Sequence, residues 1–430
     1  MQKSKLSVVD LFAGCGGLSL GLEQAGFHPV FVNELNADAL KTYISNRTLK
    51  HPHLSDEGFH IHNVKEMVPN KYLKALSSRL LSTFGIAKGE LDLVVGGPPC
   101  QGFSGIGHRR SYSVDKEQLP SNHLFQDMKD VIKGLQPRAF VFENVGGLLN
   151  AKWTPTGKPQ EIFTEVLATL KGIRGYRVAS RLVYAKDYGV PQNRPRVLII
   201  GIRKDVKVIG EDESSVDALA RGFLPAPTTA PPPSITQLLG DLIDPAYEPR
   251  LRQTIHYPAP YDCDVQKMLR TSADGSRIAA KGDLLTEHDY SKHSPRVVAK
   301  FLAMIADPNH KIPQEFRTKK FAQRVLPAEW GPEGPTITAT SLPDDYVHFL
   351  QPRCLTVREW ARLQMFPDWY QFSGKRTTGG LRRAGNPREG IFERELPKYT
   401  QIGNAVPVKL AYEIGKHLAG ILAPPSPPGR

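Results

Sequence analysis

The sequence predicts a doubly wound α/β fold with a mostly parallel sheet, joined to a smaller irregular domain. Three observations predict it. From Leu6 to about Lys204, short apolar runs alternate with amphipathic stretches, the pattern of parallel strands and their crossover helices. A proline-rich passage, Leu224 to Pro233, then interrupts the pattern and opens a long segment of weak periodicity and many turn residues. Regular patterning returns near Cys354. The expected boundaries are therefore a first domain at 1–203, an irregular domain at 204–350, a hinge motif with a basic insertion at 351–399, and a segment at 400–430 that returns to the first domain.

Seven strands are expected, at Leu6 to Leu11, Pro29 to Val32, Phe59 to Ile61, Leu91 to Val95, Ala139 to Phe142, Arg177 to Val183 and Arg196 to Ile202. Each is an apolar run bounded by turn residues. Thr356 and Glu359 have capping-box spacing ahead of Trp360, Ala361 and Leu363, which predicts a helix start. A last amphipathic helix is expected from Pro407 to Leu422.

Lysine plus arginine outnumber aspartate plus glutamate by 56 to 43, and the net charge of +13 favours a polyanionic partner. Cys15, Cys100, Cys263 and Cys354 lie far apart with no CxxC pair, so neither a zinc ribbon nor a disulfide framework is indicated. His288, His293 and Cys263 fit no compact zinc spacing, and no metal is expected. No apolar run has the length of a membrane span, and the first residues lack the pattern of a secretory leader. The chain is expected to be cytoplasmic and to engage no membrane.

In a doubly wound sheet, ligands bind outside the carboxyl ends of the strands, so the residues just past each strand carry the functional signal. After the first strand comes Phe12-Ala13-Gly14-Cys15-Gly16-Gly17, a glycine-rich turn that lets backbone amides approach a ligand. Ser19 stands where the dinucleotide fingerprint needs its last glycine, which argues against a nicotinamide or flavin enzyme. Glu34 ends the second strand, about 20 residues on, where a carboxylate can hold ribose hydroxyls. Past the fourth strand, Pro98 and Pro99 stiffen the chain before Cys100, and Gly102 frees it afterwards. A thiol fixed in the predicted crevice is a candidate nucleophile. Glu143 follows the fifth strand, and Arg194 precedes and Arg196 opens the seventh, so a thiol, an acid and two guanidiniums converge on one edge.

These residues resemble the cytosine-5 DNA methyltransferase family. DLFAGCGG, NE, GGPPCQGFS, ENV, QNRPR, RCLTVREWARLQMFP and QIGNAVP look like its blocks in their usual order, over roughly residues 6–204 and 336–415. The resemblance implies a Rossmann-like methyltransferase domain with a target-recognition domain at 204–350. It also implies S-adenosylmethionine as methyl donor, S-adenosylhomocysteine as product, and double-stranded DNA as substrate. By similarity, Phe12, Ala13, Gly14, Gly16, Gly17, Leu18, Glu34, Leu35, Pro98, Leu124, Asn404 and Val406 bind the cofactor, with Asn63 and Val64 at the end of the third strand. Asn63 stands where the family commonly has an aspartate, and its carbonyl oxygen can still accept a hydrogen bond. Cys100, Glu143, Arg194 and Arg196 are the implied catalytic group, acting on a cytosine flipped out of the duplex.

Gln101, Ser104, Arg109, Arg110, Thr336 and Arg353 are the expected DNA contacts, with His108 in the same loop. Arg250, Arg252, Lys267, Arg270, Lys311, Arg317, Lys319, Lys320 and Arg324 add positive charge suited to phosphates. Between Lys375 and Lys398 lies an insertion with Arg376, Arg382, Arg383, Arg388 and Arg394, long for the family and suited to DNA or a partner. A restriction–modification setting makes a cognate endonuclease or another defence protein the expected partner of a monomeric enzyme acting at the prokaryotic nucleoid. A tRNA cytosine-5 methyltransferase and an inactive DNA-binding regulator of the same fold are the alternatives. The long recognition segment disfavours the first, and the presence of Cys100, Glu143 and Arg196 disfavours the second.

Overall fold

The computed structural model describes residues 5–99, 120–154, 156–317, 323–327, 336–337, 345–378 and 395–423. Cys100, Gln101, Ser104, His108, Arg109 and Arg110 lie outside the described residues, as do Lys319, Lys320, Arg382, Arg383, Arg388 and Arg394.

One sheet contains β1 (Leu6–Leu11), β2 (Phe27–Asn33), β3 (His60–Ile61), β4 (Leu93–Gly96), β5 (Ala139–Val145), β6 (Tyr176–Tyr184) and β7 (Pro195–Arg203), in the order β3-β2-β1-β4-β5-β7-β6. All pairings are parallel except those of β7, which runs antiparallel to both β5 and β6. Each predicted strand is present, β1 with the expected bounds and the other six with shifted ends. Pro29 reads as a strand start because it has no N–H to donate, yet β2 begins two residues earlier; the ladder accommodates the proline through a register shift between Val8 and Val9. Leu91 precedes β4 because Asp92, next in line, turns its carboxylate to the Ser7 backbone and hydroxyl, at 2.8 and 2.9 Å.

Helices cover both faces. On one, α1 (Gly17–Gln24) places Leu18, Leu20 and Leu22 in the same buried cluster as Leu410, Ile414 and Leu418. On the other, α3 (Asn70–Phe84), α4 (Leu124–Leu135) and α5 (Glu161–Lys171) bury Leu73, Leu76, Val131, Ile132, Ile162 and Val166 against the sheet. Between α1 and α3, α2 (Ala37–Ser45) starts at Asn36, whose side chain accepts from Ala39 N.

The region past β7 carries short helices α6 (Ile235–Leu239), α7 (Asp264–Arg270) and α8 (Pro295–Ala306), with isolated bridges such as His256 to Leu284. A two-stranded parallel sheet pairs Arg324–Val325 with Tyr346–Val347. Helix α9 (Val357–Leu363) begins with the predicted capping box, Thr356 and Glu359 each closing on the other. It is buried on all sides. After α10 (Lys398–Asn404), α11 (Val408–Leu422) lies against α1 and returns the chain to the first domain, as its amphipathic pattern predicts. Among the described residues no helix is long and apolar enough to cross a membrane.

Candidate active site

The order of strands reverses between β1 and β4, and the carboxyl ends of both open onto one crevice. Phe12, Gly14 and Gly16 have φ of 55°, 57° and 86°, so the chain turns sharply from β1 into α1. A phenylalanine in the left-handed region is uncommon and strained. Asn33 holds it there: its Oδ1 accepts from Phe12 N at 3.2 Å, while its amide donates to the carbonyls of Ile61 and His62 at 3.1 and 2.8 Å. One side chain thus ties the ends of β1, β2 and β3 together.

Next to it, Glu34 accepts from Gly14 N and Asn36 N, both at 2.8 Å. Burial pushes its carboxyl above the usual range, against these two donors. A Cβ on Gly14 meets nothing within 4 Å, so the crevice above the turn is open, and Leu35 beside it is 72% exposed. Asn63 is half-buried and its Oδ1 accepts from Lys65 N at 3.1 Å, capping the one-turn helix Val64–Met67. Leu18 and Val64 are buried, and Ala13 packs beside the cluster of Val32, Leu40 and Tyr43. Leu124 is half-buried at the first position of α4, and Asn404 is exposed. Val406 is buried with its carbonyl oxygen 2.4 Å from where a Cβ on Gly17 would stand, so the QIGNAVP segment closes over the glycine turn.

At the end of β4, Asn144 Nδ2 donates to Pro98 O at 3.0 Å, which fixes the chain just ahead of Cys100 to β5. A Cβ on Gly97 would lie 2.7 Å from Glu143 Oε2, so only glycine lets the backbone pass that carboxylate. Arg196 Nε stands 2.5 Å from Glu143 Oε1, both side chains almost fully buried. Burial pushes Glu143 up more strongly than Arg196 and Arg194 pull it down. The same burial lowers Arg196.

Arg194 departs from its expected role. Its guanidinium donates to Ile337 O, to Gly403 O at 2.6 Å and to Ala405 O at 3.2 Å. Its two terminal nitrogens are held by backbone carbonyls while its buried Nε has no hydrogen-bond partner among the described residues, so it ties distant segments together and acts on Glu143 through its charge. Thr336 also turns inward, its hydroxyl donating to Asn193 O at 2.6 Å, while Ile337 N donates to Gln192 Oε1 at 3.1 Å. Gln192 continues to Leu363 O and to Gln364 Oε1 at 3.0 Å, and Gln364 reaches Ile402 O at 2.8 Å. The loop before β7 is therefore the junction of the irregular domain, α9 and the segment before α11.

Two expected DNA contacts are corrected by burial. Arg353 is 0% exposed and grips Glu359 with both terminal nitrogens, at 2.7 and 2.6 Å. Arg270 is 3% exposed, lies 2.6 Å from Asp241 and stacks 3.9 Å from the centre of the Tyr257 ring. Neither charge faces solvent, because each has an acid inside the protein. Arg250, Arg252, Lys267, Lys311, Arg317 and Arg324 are exposed. Arg376 is half-buried, donating to the carbonyls of Asp289 and Tyr290, both at 3.3 Å. His288, His293 and Cys263 are engaged separately, with Thr356 Oγ1, Cys354 N and Gln237 O.

Sequence reasoning missed Asn33, Asn144, Gln192 and Gln364. The first two adjoin acids at strand ends and the third opens QNRPR, so their place in the motifs was the available signal.

A family model for C-5 cytosine-specific DNA methylases matches residues 6–420. The Type II methyltransferase M.DdeI of Desulfomicrobium norvegicum is 30% identical over 429 residues, covering 96% of this chain and 88% of its own. The Type II methyltransferase M1.HphI of Haemophilus parahaemolyticus is 30% identical over 416 residues, covering 96% and 86%. A solved structure of a putative DNA modification methyltransferase encoded within an E. coli prophage shares the fold, with a TM-score of 0.65 at 23% identity over 97% of this chain and 99% of that one. The family match extends from β1 into the last helix and these relatives align over nearly their whole length, so this chain belongs to the C-5 cytosine-specific DNA methylase family.

Proposed function

We propose that the chain methylates C5 of a cytosine flipped out of duplex DNA, through a covalent bond between Cys100 and C6. The observation that carries this reading is the bond from Asn144 to Pro98 O, which ties the residues leading into Cys100 to the strand bearing Glu143. Asn144 neighbours Glu143, so one strand end orders both the approach to the thiol and the acid.

C5 of cytosine is a poor nucleophile until a thiolate adds to C6. Addition forms the Cys100 Sγ–C6 bond, breaks the C5–C6 double bond and moves negative charge toward N3 and O2. Glu143, pushed toward its protonated form by burial, gives or shares a proton with N3, and Arg196 balances charge at O2. Pairing of the two at 2.5 Å holds them ready before substrate arrives. After methylation a water takes the C5 proton, the C5–C6 double bond re-forms with expulsion of Cys100 as thiolate, and N3 returns its proton to Glu143, leaving 5-methylcytosine.

S-adenosylmethionine suits the crevice between β1 and β4 and, when bound, supplies a methyl group on a sulfonium sulfur. Glu34 is a buried carboxylate at the open face of the turn and accepts ribose hydroxyls, while Leu35, Pro98 and Val406 supply apolar walls. Arg250, Arg252, Lys267, Lys311, Arg317 and Arg324 place exposed positive charge on residues 204–350, the target-recognition domain in this reading. The relatives' designation as Type II methyltransferases supports a role in protecting DNA from a cognate endonuclease.

Transfer of a labelled methyl group into duplex DNA, with tRNA as the competing substrate, tests the reading. Incorporation is expected in DNA alone, and abolished by Cys100→Ser while DNA binding persists. A duplex carrying 5-fluorocytosine at the target should trap a covalent complex, because C5 then has no removable proton. Near-native turnover by Cys100→Ser would exclude the adduct.

A further inference from the structure

The underside of the glycine turn is held by two residues outside the turn. Tyr370 donates its hydroxyl to Cys15 O at 2.6 Å, and Arg47 Nη2 donates to Gly16 O at 3.1 Å. The two are joined, since Arg47 Nη1 donates to the Tyr370 hydroxyl at 2.9 Å. Arg47 is itself oriented by Glu23 Oε1 at 2.7 Å and by Tyr43, whose ring lies 3.8 Å beneath the guanidinium and whose carbonyl accepts at 2.9 Å. Arg47 and Tyr370 are 2% and 0% exposed. A Cβ on Gly16 would lie 2.8 Å from Arg47 Nη1 and 2.9 Å from the Tyr370 hydroxyl, so the turn rests directly on this pair.

We infer that Arg47 and Tyr370 are positioning residues for the cofactor. Carbonyl oxygens of a left-handed turn repel the carboxylate of the ligand's amino-acid end if they face it. By taking the carbonyls of Cys15 and Gly16 from below, the pair fixes the backbone of the turn, whose Gly14 N–H holds the Glu34 carboxylate at the crevice. Arg47 follows α2 and Tyr370 comes from the segment past α9, so the cofactor turn is braced by a part of the chain that also contacts the irregular domain: Arg358 donates to Tyr370 O at 3.0 Å and to Thr286 O at 3.2 Å. This inference rests on the cofactor reading of the glycine turn.

Calorimetric titration of the full chain with S-adenosylhomocysteine, without DNA, tests it. Tyr370→Phe removes one hydroxyl at constant volume, and Arg47→Lys keeps the charge while losing the two-pronged donor. Each should weaken binding about five- to tenfold, and the double variant should fall short of the product of the two, because each holds its own carbonyl but the pair shares the bond from Arg47 to the Tyr370 hydroxyl. Affinity for duplex DNA should stay within about twofold in all three, a split that a merely structural role would not give. Glu34→Ala is the control for the cofactor reading. If it weakens binding and Tyr370→Phe and Arg47→Lys do not, the positioning role is excluded and the site stands. If none of the three weakens binding, the site itself is misassigned. A parallel loss of DNA and cofactor affinity would reduce the pair to scaffold.

Discussion

Glu143 and Glu359 are both buried glutamates paired with an arginine, and they differ in the number of donors each receives. Glu359 is held by Arg353 at 2.7 and 2.6 Å and by Thr356 N at 2.8 Å. Burial favours its neutral form, but Arg353 overrides this and holds the carboxyl far below its ordinary range. Glu143 has Arg196 at 2.5 Å, and there burial prevails and pushes the carboxyl up. A saturated carboxylate stays ionised and acts as a strut. One with fewer donors is pushed toward its protonated form. The pairs are alike in residue type and burial, so the donor count accounts for their opposite shifts.

The sharpest way to break this comparison is Glu143→Gln. Loss of a positioned proton donor should lower turnover about 10²- to 10⁴-fold, with little change in melting temperature. The wild-type rate should also fall as pH rises, because in the proposed mechanism Glu143 acts in its protonated form and its folded pKa is raised above 4.5. The same shift makes its contribution to stability fully present below that value and lost as pH rises through the folded pKa. Rates measured with saturating DNA and donor should therefore show an alkaline decline that the glutamine variant lacks. Equal decline in both proteins would assign the titration to another group.

The complementary change is Arg353→Met. It should leave Glu359 buried without its cation and cost about 3–5 kcal/mol, read by denaturant unfolding. Turnover per folded molecule should fall far less than in Glu143→Gln, since Arg353 is remote from the reacting ring in this scheme. Its pH signature has the opposite sign. Glu359 is depressed from 4.5, so its contribution is present above that value and lost as pH falls below it. Glu359→Gln should flatten that acid limb, and a limb unchanged in the variant would show that other carboxylates produce it.

The contrast was only half legible in the sequence. The strands, and Glu34, Glu143 and Arg196 as candidates past their ends, could be read because apolar runs mark the strands and the residues past their ends are unusual in type. Arginine burial could not. Arg353 and Arg270 carry the same formal charge in sequence as Arg250 or Arg324, and only the fold reveals an acid beside them. Arg362, 0% exposed, is bound by Asp368 six residues away and by Asp241, which is 121 residues away. The positive charge that suggests a polyanion is thus partly internal. Pro29 misled in a smaller way, because its missing donor is absorbed by an irregular register that no local pattern announces.

The smallest expected effect separates the strut from its cap. Thr356 accepts from Glu359 N at 3.2 Å through its hydroxyl, while its own N–H donates to Glu359 Oε2 at 2.8 Å. Thr356→Ala removes the first bond and leaves the second, because the second belongs to the backbone. It also removes the hydroxyl that meets His288 Nδ1 at 2.9 Å. The cost should be about 0.5–2 kcal/mol, the range for losing a helix cap, and Thr356→Ser should recover most of it. Glu359 keeps all three of its donors in Thr356→Ala, so the acid limb of stability should persist at its wild-type position. Loss of that limb would mean that the cap, and with it the fixed start of α9, is what keeps Arg353 and Glu359 in register, and donor count alone would no longer explain why this glutamate differs from Glu143.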